Sequence, residues 1–316
     1  MVDWCFMKKV QSKINEVVIF FSCLRPSLLL FIKNDPLRMA GATAFFTTFA
    51  LPPIIFLLVQ LFGFFIGRRN MGRELMEGLS DVLGKDGADQ VRQVIRSIRG
   101  FDDKWYIILV GVLFLFFVAT TLFNVIKDSL NQLWQISVKE KPGFLFILIV
   151  RLRSFAVILF VGALFLADIF FQSVEAMAGN YINILWAGAG NYFTSFISEV
   201  IGIIVISAWF VVLFRFIADG RPSWKASLVG GVFTGILFAA GREVLAALLI
   251  NSNISKLYGA SGSFVLVLLF VFYCSFILYF GASFVAVYAA KKNWPIQPTA
   301  KAYATEEVSG ENEDKA

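Results

Sequence analysis

A few charged side chains sit inside segments that are otherwise continuous apolar runs, and their types decide what chemistry the chain can do. Asp168, Glu199, Arg242 and Glu243 fall in the same third of three different runs. Arg151, Arg153 and Arg215 fall near the opposite edge of two of them. A charge at the centre of a bilayer costs about 2.5–3.5 kcal/mol on insertion scales, so it is kept where it snorkels, pairs or lines a wet cavity. Two arrangements follow. Arg242 with Asp168, Glu199 and Glu243 makes a candidate polar cleft in which a guanidinium holds an anion or carboxylates relay a cation. The plainer reading is an ion-pair cluster that holds three helices together. Arg151, Arg153 and Arg215, with Arg221 and Lys225, make a candidate inner basic ring, and the plainer reading there is snorkelling to headgroups. Either way Arg242 is expected to have a carboxylate neighbour, because an unpaired buried guanidinium is costly.

Other chemistries lack their residues. The chain has no histidine. That removes Ser-His-Asp and Cys-His catalysis, His-ligated metal sites and the commonest general base. Cys5, Cys23 and Cys274 lack metal-ligand spacing, and a disulfide framework is not expected. There is no Walker-type phosphate loop. The expectation is therefore a protein that is not an enzyme, with no catalytic residue, cofactor or metal.

The elements that must position these charges are membrane spans. Of 316 residues, 58% are hydrophobic and only 16% charged, and 36 are Phe. Mean hydropathy is +0.76. A soluble domain carries roughly a quarter charged residues. The sequence predicts an all-α polytopic membrane protein with six transmembrane helices, over about 39–66, 105–126, 143–171, 196–218, 226–250 and 260–290. A helix crosses the hydrocarbon core in about 20 residues, so several of these tilt or protrude. Pro52-Pro53 falls mid-run in the first and predicts a helix break there.

Six spans put both termini on one side. Residues 1–38 carry six basic residues, the 127–142 connection three and the segment after 290 four, whereas the 172–195 connection has none. That bias places both termini in the cytoplasm. Residues 67–104 run against it with eight basic residues, but they also carry seven acidic ones. Their apolar positions recur at helical spacing, which predicts an amphipathic helical extracytoplasmic loop. No cleavable signal is evident. Residues 17–32 are apolar but interrupted by Arg25-Pro26, so the N-terminal segment is expected to form an interfacial elbow rather than a span. Residues 291–316 form a cytoplasmic tail, expected to be disordered beyond Pro298, with five acidic residues among its last eleven.

Four stretches carry a resemblance. They are NDPLRMAGATAFFTTFALPPIIFLLVQLFG, with Asp35, Phe45-Phe46 and Pro53; TLFNVIKDSLNQLWQI, with Asn124, Asn131 and Trp134; GRPSWKASLVGGVFTGILFAAGREVLAALL, with Pro222, Trp224, Gly230 and Arg242; and LYGASGSF followed by FILYFGASF, with Tyr258, Gly259 and Gly281-Ala282. In order and spacing these resemble the YihY/BrkB family of bacterial inner-membrane proteins, formerly mislabelled ribonuclease BN. The family commonly has an acidic residue after the Gly-Ala of its last helix, and here that position is Ser283. The resemblance implies a six-helix protein of the bacterial plasma membrane with cytoplasmic termini. By association it implies export of envelope lipid or solute. The ribonuclease label is rejected, since the chain offers no phosphodiesterase site.

Three functions compete on this reading. One is an ATP-independent transporter of lipid or another anionic amphiphile, with the Pro52-Pro53 break as moving element or seal. Another is a small-solute or ion exporter using the same charges as a coupling relay. The third is a scaffold of an envelope complex docking partners on the 67–104 loop. Membrane lipids are the expected partners, envelope proteins are candidate ones and nucleic acid is excluded.

Overall fold

A computed structural model describes residues 2–50, 92, 105–138, 189–250, 262–299 and 302–304. The described chain is helical apart from four short strands. Helix α1 spans Val2–Lys33, and α2 includes residues 36–50. Helix α3 spans Trp105–Leu133, α4 Ala189–Phe216, α5 Trp224–Ile250 and α6 Gly262–Lys291. Strands β1 (Ile136–Val138), β2 (Gly220–Arg221), β3 (Gln297–Pro298) and β4 (Ala302–Ala304) form two antiparallel pairs. In one, Gly220 faces Pro298 and Arg221 faces Gln297. In the other, Ile136 faces Ala304 and Val138 faces Ala302.

Among the described residues three helices are long and apolar enough to cross a membrane, within Glu199–Phe216, Trp224–Val244 and Val265–Lys291. Their surfaces agree with that. Leu228, Val232 and Ile236 recur every fourth residue along α5 and all face outward, as does Ile204 on α4. In water such a stripe would be an aggregation liability; against acyl chains it costs nothing.

Lipid supplies little drive for helix association, so the helices hold together by close packing. On α5, a Cβ at Gly231 would meet the Val211 side chain, the Val211 nitrogen at 2.9 Å and the Ser207 carbonyl at 3.0 Å. Only a glycine lets α4 come that near. On the next face, Gly230 admits Val285 of α6. Aromatic rings fill the remainder: Phe233 stacks on Phe284 at 4.3 Å, and Phe31 of α1 meets Phe276 edge-on at 4.7 Å.

Two expectations are corrected. Arg25-Pro26 does not interrupt the N-terminal segment: α1 runs through it unbroken. Proline lacks an N–H, so the Ser22 carbonyl four residues back loses its intrahelical donor. Lys291 of α6 supplies the missing proton, with Nζ 2.8 Å from both the Ser22 carbonyl and its Oγ. The second correction concerns the tail. Residues 302–304, expected to be without structure, form β4. The polar composition of residues 299–316 hides a short Ala-Tyr-Ala segment, and β1 offers it an unpaired edge.

The helix at the second expected span is also longer than its apolar run. Helix α3 continues past residue 126 through Lys127, Asp128 and Asn131. The 67–104 loop apart from residue 92, the 143–171 span and the Pro52-Pro53 break lie outside the described residues.

The chain ends of α3, α4 and α6 and the start of α5 lie together, at what we term the strap end. Three residues turn the chain there or nearby with left-handed backbone: Asp35 (φ 52), Gln135 (φ 54) and Asn293 (φ 54). Each follows a helix and ends it as a glycine commonly would. After Asn293 the chain folds back across the strap end. Trp294 meets Tyr288 edge-on at 6.2 Å, and the Thr299 N–H donates to the Asp219 carbonyl at 2.8 Å. Residues 294–299 and 302–304 thus tie together the ends of α3, α4 and α6.

Candidate functional site

Two helices carry the cluster at the far end. Glu199 lies in α4, and Arg242-Glu243 lies in α5. Because α4 and α5 run antiparallel with Gly231 against Val211, residues near 199 and 243 come level. Arg242 Nη2 donates to Glu199 Oε2 at 3.4 Å and to Glu243 Oε1 at 3.0 Å, and its Nε reaches the same Glu243 oxygen at 3.3 Å. The Arg242 side chain is 39% exposed, Glu199 52% and Glu243 70%. This is an open cluster on the flank of the bundle, beside exposed Val200 and Val244. One cation faces two carboxylates through long bonds, and a guanidinium has five donors. The arrangement can release Arg242 to an arriving anion without leaving a buried charge bare. Asp168 lies outside the described residues.

The inner arginines are less free. Arg215 donates to the Pro222 carbonyl, and its guanidinium lies over the Trp224 ring, 5.1 Å from the centroid. It clamps the α4–α5 turn. Lys225 lies over Trp294 at 5.6 Å, and Arg221 is exposed on β2. Arg151 and Arg153 lie outside the described residues.

A third cluster was not expected. At the strap end Lys127 Nζ sits 2.8 Å from Asp219 Oδ2, and each side chain is only 10% exposed. Asn131 donates to the same carboxylate oxygen at 3.0 Å, while its own Oδ1 accepts the Asp219 N–H at 2.9 Å. Trp134 Nε1 donates to the Ala282 carbonyl at 3.0 Å, joining α3 to α6. Residues 127, 131 and 134 are spaced four and three apart, so they share one face of α3. That face spacing was the available sequence signal, and it sits inside the stretch TLFNVIKDSLNQLWQI. On α2 the Thr43 hydroxyl meets the Tyr279 hydroxyl at 2.5 Å, and Arg38 Nη2 donates to Gln132 Oε1 at 2.9 Å. Polar contacts thus draw four elements onto the strap end.

Long apolar helices with outward aliphatic stripes, packed through glycine and closed by ion pairs, define a helical membrane protein. The chain belongs to the family described as Virulence factor BrkB, which it matches over residues 30–305. It is similar to a UPF0761 membrane protein of Vibrio vulnificus, 22% identical over 256 residues that cover 81% of this chain and 78% of that one. A UPF0761 membrane protein of Photobacterium profundum is 21% identical over 294 residues, 90% of this chain and 89% of its own length. A third relative, from Pseudomonas aeruginosa, is 21% identical over 268 residues, 84% of this chain and 62% of its own. No solved structure matches the chain.

Proposed function

We propose that this protein moves a lipid or another anionic amphiphile across the bacterial plasma membrane without ATP and without covalent chemistry. In this reading six helices span the bilayer, both termini are cytoplasmic, and the strap end faces the cytoplasm. Membrane lipids are its partners. The observation that carries the proposal is Arg242, a half-exposed guanidinium held loosely by Glu199 and Glu243 on a lipid-facing flank. Packing alone gives no reason to keep that charge among Val200, Val244 and Ile204.

An anionic headgroup exchanges with the two carboxylates on Arg242 while its acyl chains stay in the bilayer. At the other end the Lys127–Asp219 pair and residues 294–304 hold the bundle shut, and alternating access requires that they part while the far end closes.

The test is movement of a fluorescent anionic lipid between leaflets of liposomes with and without the full chain, compared with Arg242→Ala and Arg242→Lys. The protein is expected to accelerate movement. Arg242→Ala is expected to slow it at least ~10-fold, the loss of about 1.4 kcal/mol of differential binding, and Arg242→Lys to retain part. Equal rates with and without protein would sink the proposal.

A further inference from the structure

Helix α1 has two apolar faces, and among the described residues only one of them is packed. Phe20, Leu24 and Phe31 pack with the core shared with α6, and Cys23 and Ser27 are fully buried on the same side. The opposite side presents Val17, Val18, Phe21, Leu28, Leu29 and Ile32, each between 47% and 63% exposed. At 3.6 residues per turn these six cover an arc of roughly 120°, running from Val17 to Leu29. Arg25 falls near the middle of that arc and is exposed. Among the described residues it has no ion-pair or hydrogen-bond partner.

The arrangement differs from snorkelling at a helix end. Arg25 lies two turns from the end of α1 at Lys33, with Phe21 before it and Leu28-Leu29 after it on the same face. The axis here is fixed, because the Ser22 carbonyl freed by Pro26 is tied to Lys291 Nζ at 2.8 Å. The helix backbone that carries Arg25 is therefore held in place. A lone guanidinium set in a broad apolar arc is complementary to one kind of molecule: an anion that carries its own hydrocarbon. A free phosphate would leave the aliphatic and phenyl surface exposed to water, and a neutral lipid would leave the charge unanswered.

We infer that the outer face of α1 is a binding site for an anionic phospholipid, with Arg25 on the phosphate and the acyl chains along Phe21, Leu28, Leu29 and Ile32. The site is separate from the Arg242 cluster and rests on the protein being in a membrane, not on its moving lipid. A lipid held there is resident and fixes α1 against the bilayer.

The experiment titrates the purified full chain in detergent with phosphatidylglycerol or phosphatidylcholine and counts bound lipids by intact-complex mass spectrometry. Wild type is compared with Arg25→Gln, Arg25→Lys and the pair Leu28→Asn/Leu29→Asn. The expected result is tighter binding of phosphatidylglycerol than phosphatidylcholine, weakened ~10-fold by Arg25→Gln, largely restored by Arg25→Lys and weakened also by the Leu28/Leu29 change. Arg25 is exposed and unpartnered among the described residues, so its replacement leaves the fold intact, and an unchanged thermal midpoint checks this. Equal binding of the two lipids, or binding of phosphatidylglycerol unaffected by Arg25→Gln, overturns the site. Lipid movement in liposomes reads Arg242 separately, so either idea can fail while the other stands.

Discussion

Removing one charge of the Lys127–Asp219 pair should be among the most damaging single changes at the strap end. The pair is 2.8 Å apart with both side chains 10% exposed. Breaking such a pair from one side costs about 3–5 kcal/mol, because the remaining charge stays in a place built to exclude water. In Lys127→Met the Asp219 carboxylate keeps the Asn131 amide at 3.0 Å, so the lower figure, about 3 kcal/mol, is the expectation. Asp219→Asn leaves the Lys127 ammonium without that carboxylate and should cost a similar amount. At roughly 2–4 °C per kcal/mol for a chain of this size, each single change lowers the midpoint by about 6–12 °C. The double variant Lys127→Met/Asp219→Asn carries no net buried charge and should lose about 2 kcal/mol less than the sum of the singles. The assay is intrinsic tryptophan fluorescence on heating in detergent, with Trp134 and Trp294 at the strap end as local reporters. Single variants that melt with wild type, or a double that melts at the additive temperature, would refute the reasoning.

Other changes are predicted from contacts already described. Gly231→Ala should destabilise by about 1–3 kcal/mol, because the backbone of Val211 and Ser207 cannot yield, whereas Gly202→Ala, which meets nothing within 4 Å, should be neutral or stabilise; thermal midpoints of the two variants check the contrast. Trp134→Phe keeps an aromatic ring but removes the bond to the Ala282 carbonyl, and should cost about 1 kcal/mol by the same measurement. Lys291→Met should destabilise by about 1 kcal/mol in the native background and by clearly less in Pro26→Ala, where residue 26 regains an N–H for the Ser22 carbonyl; equal losses in both backgrounds would show that Lys291 acts elsewhere.

Helices were legible where an uninterrupted apolar run has only one way to satisfy its backbone in lipid. The runs 196–218, 226–250 and 260–290 correspond to α4, α5 and α6 within a few residues at most boundaries and seven at the start of α4. Pro26 misled because its local cost is offset by Lys291, 269 positions beyond the Ser22 carbonyl that it serves. The proximity of Glu199 and Arg242 followed from counting residues from the helix ends, since antiparallel neighbours with a short turn must come level. The Lys127–Asp219 pair was hidden for the opposite reason. Both residues sit at edges of apolar runs, where a charge looks like an ordinary boundary marker, and 88 positions separate Asn131 from the carboxylate it supports. The short strands were illegible because two- and three-residue ladders have no periodicity to read.

The strap also orders events in time. Synthesis delivers residues 297–298 and 302–304 after every helix described above, and among the described residues β1 and β2 have no other strand partner. Up to that moment two short edges, Ile136–Val138 and Gly220–Arg221, stay open to any passing chain. Helix insertion can therefore finish while the end of the bundle is still unsealed. The end of the bundle gains its two ladders only when residues 297–298 and 302–304 emerge. A chain truncated before Gln297 would be inserted but never locked.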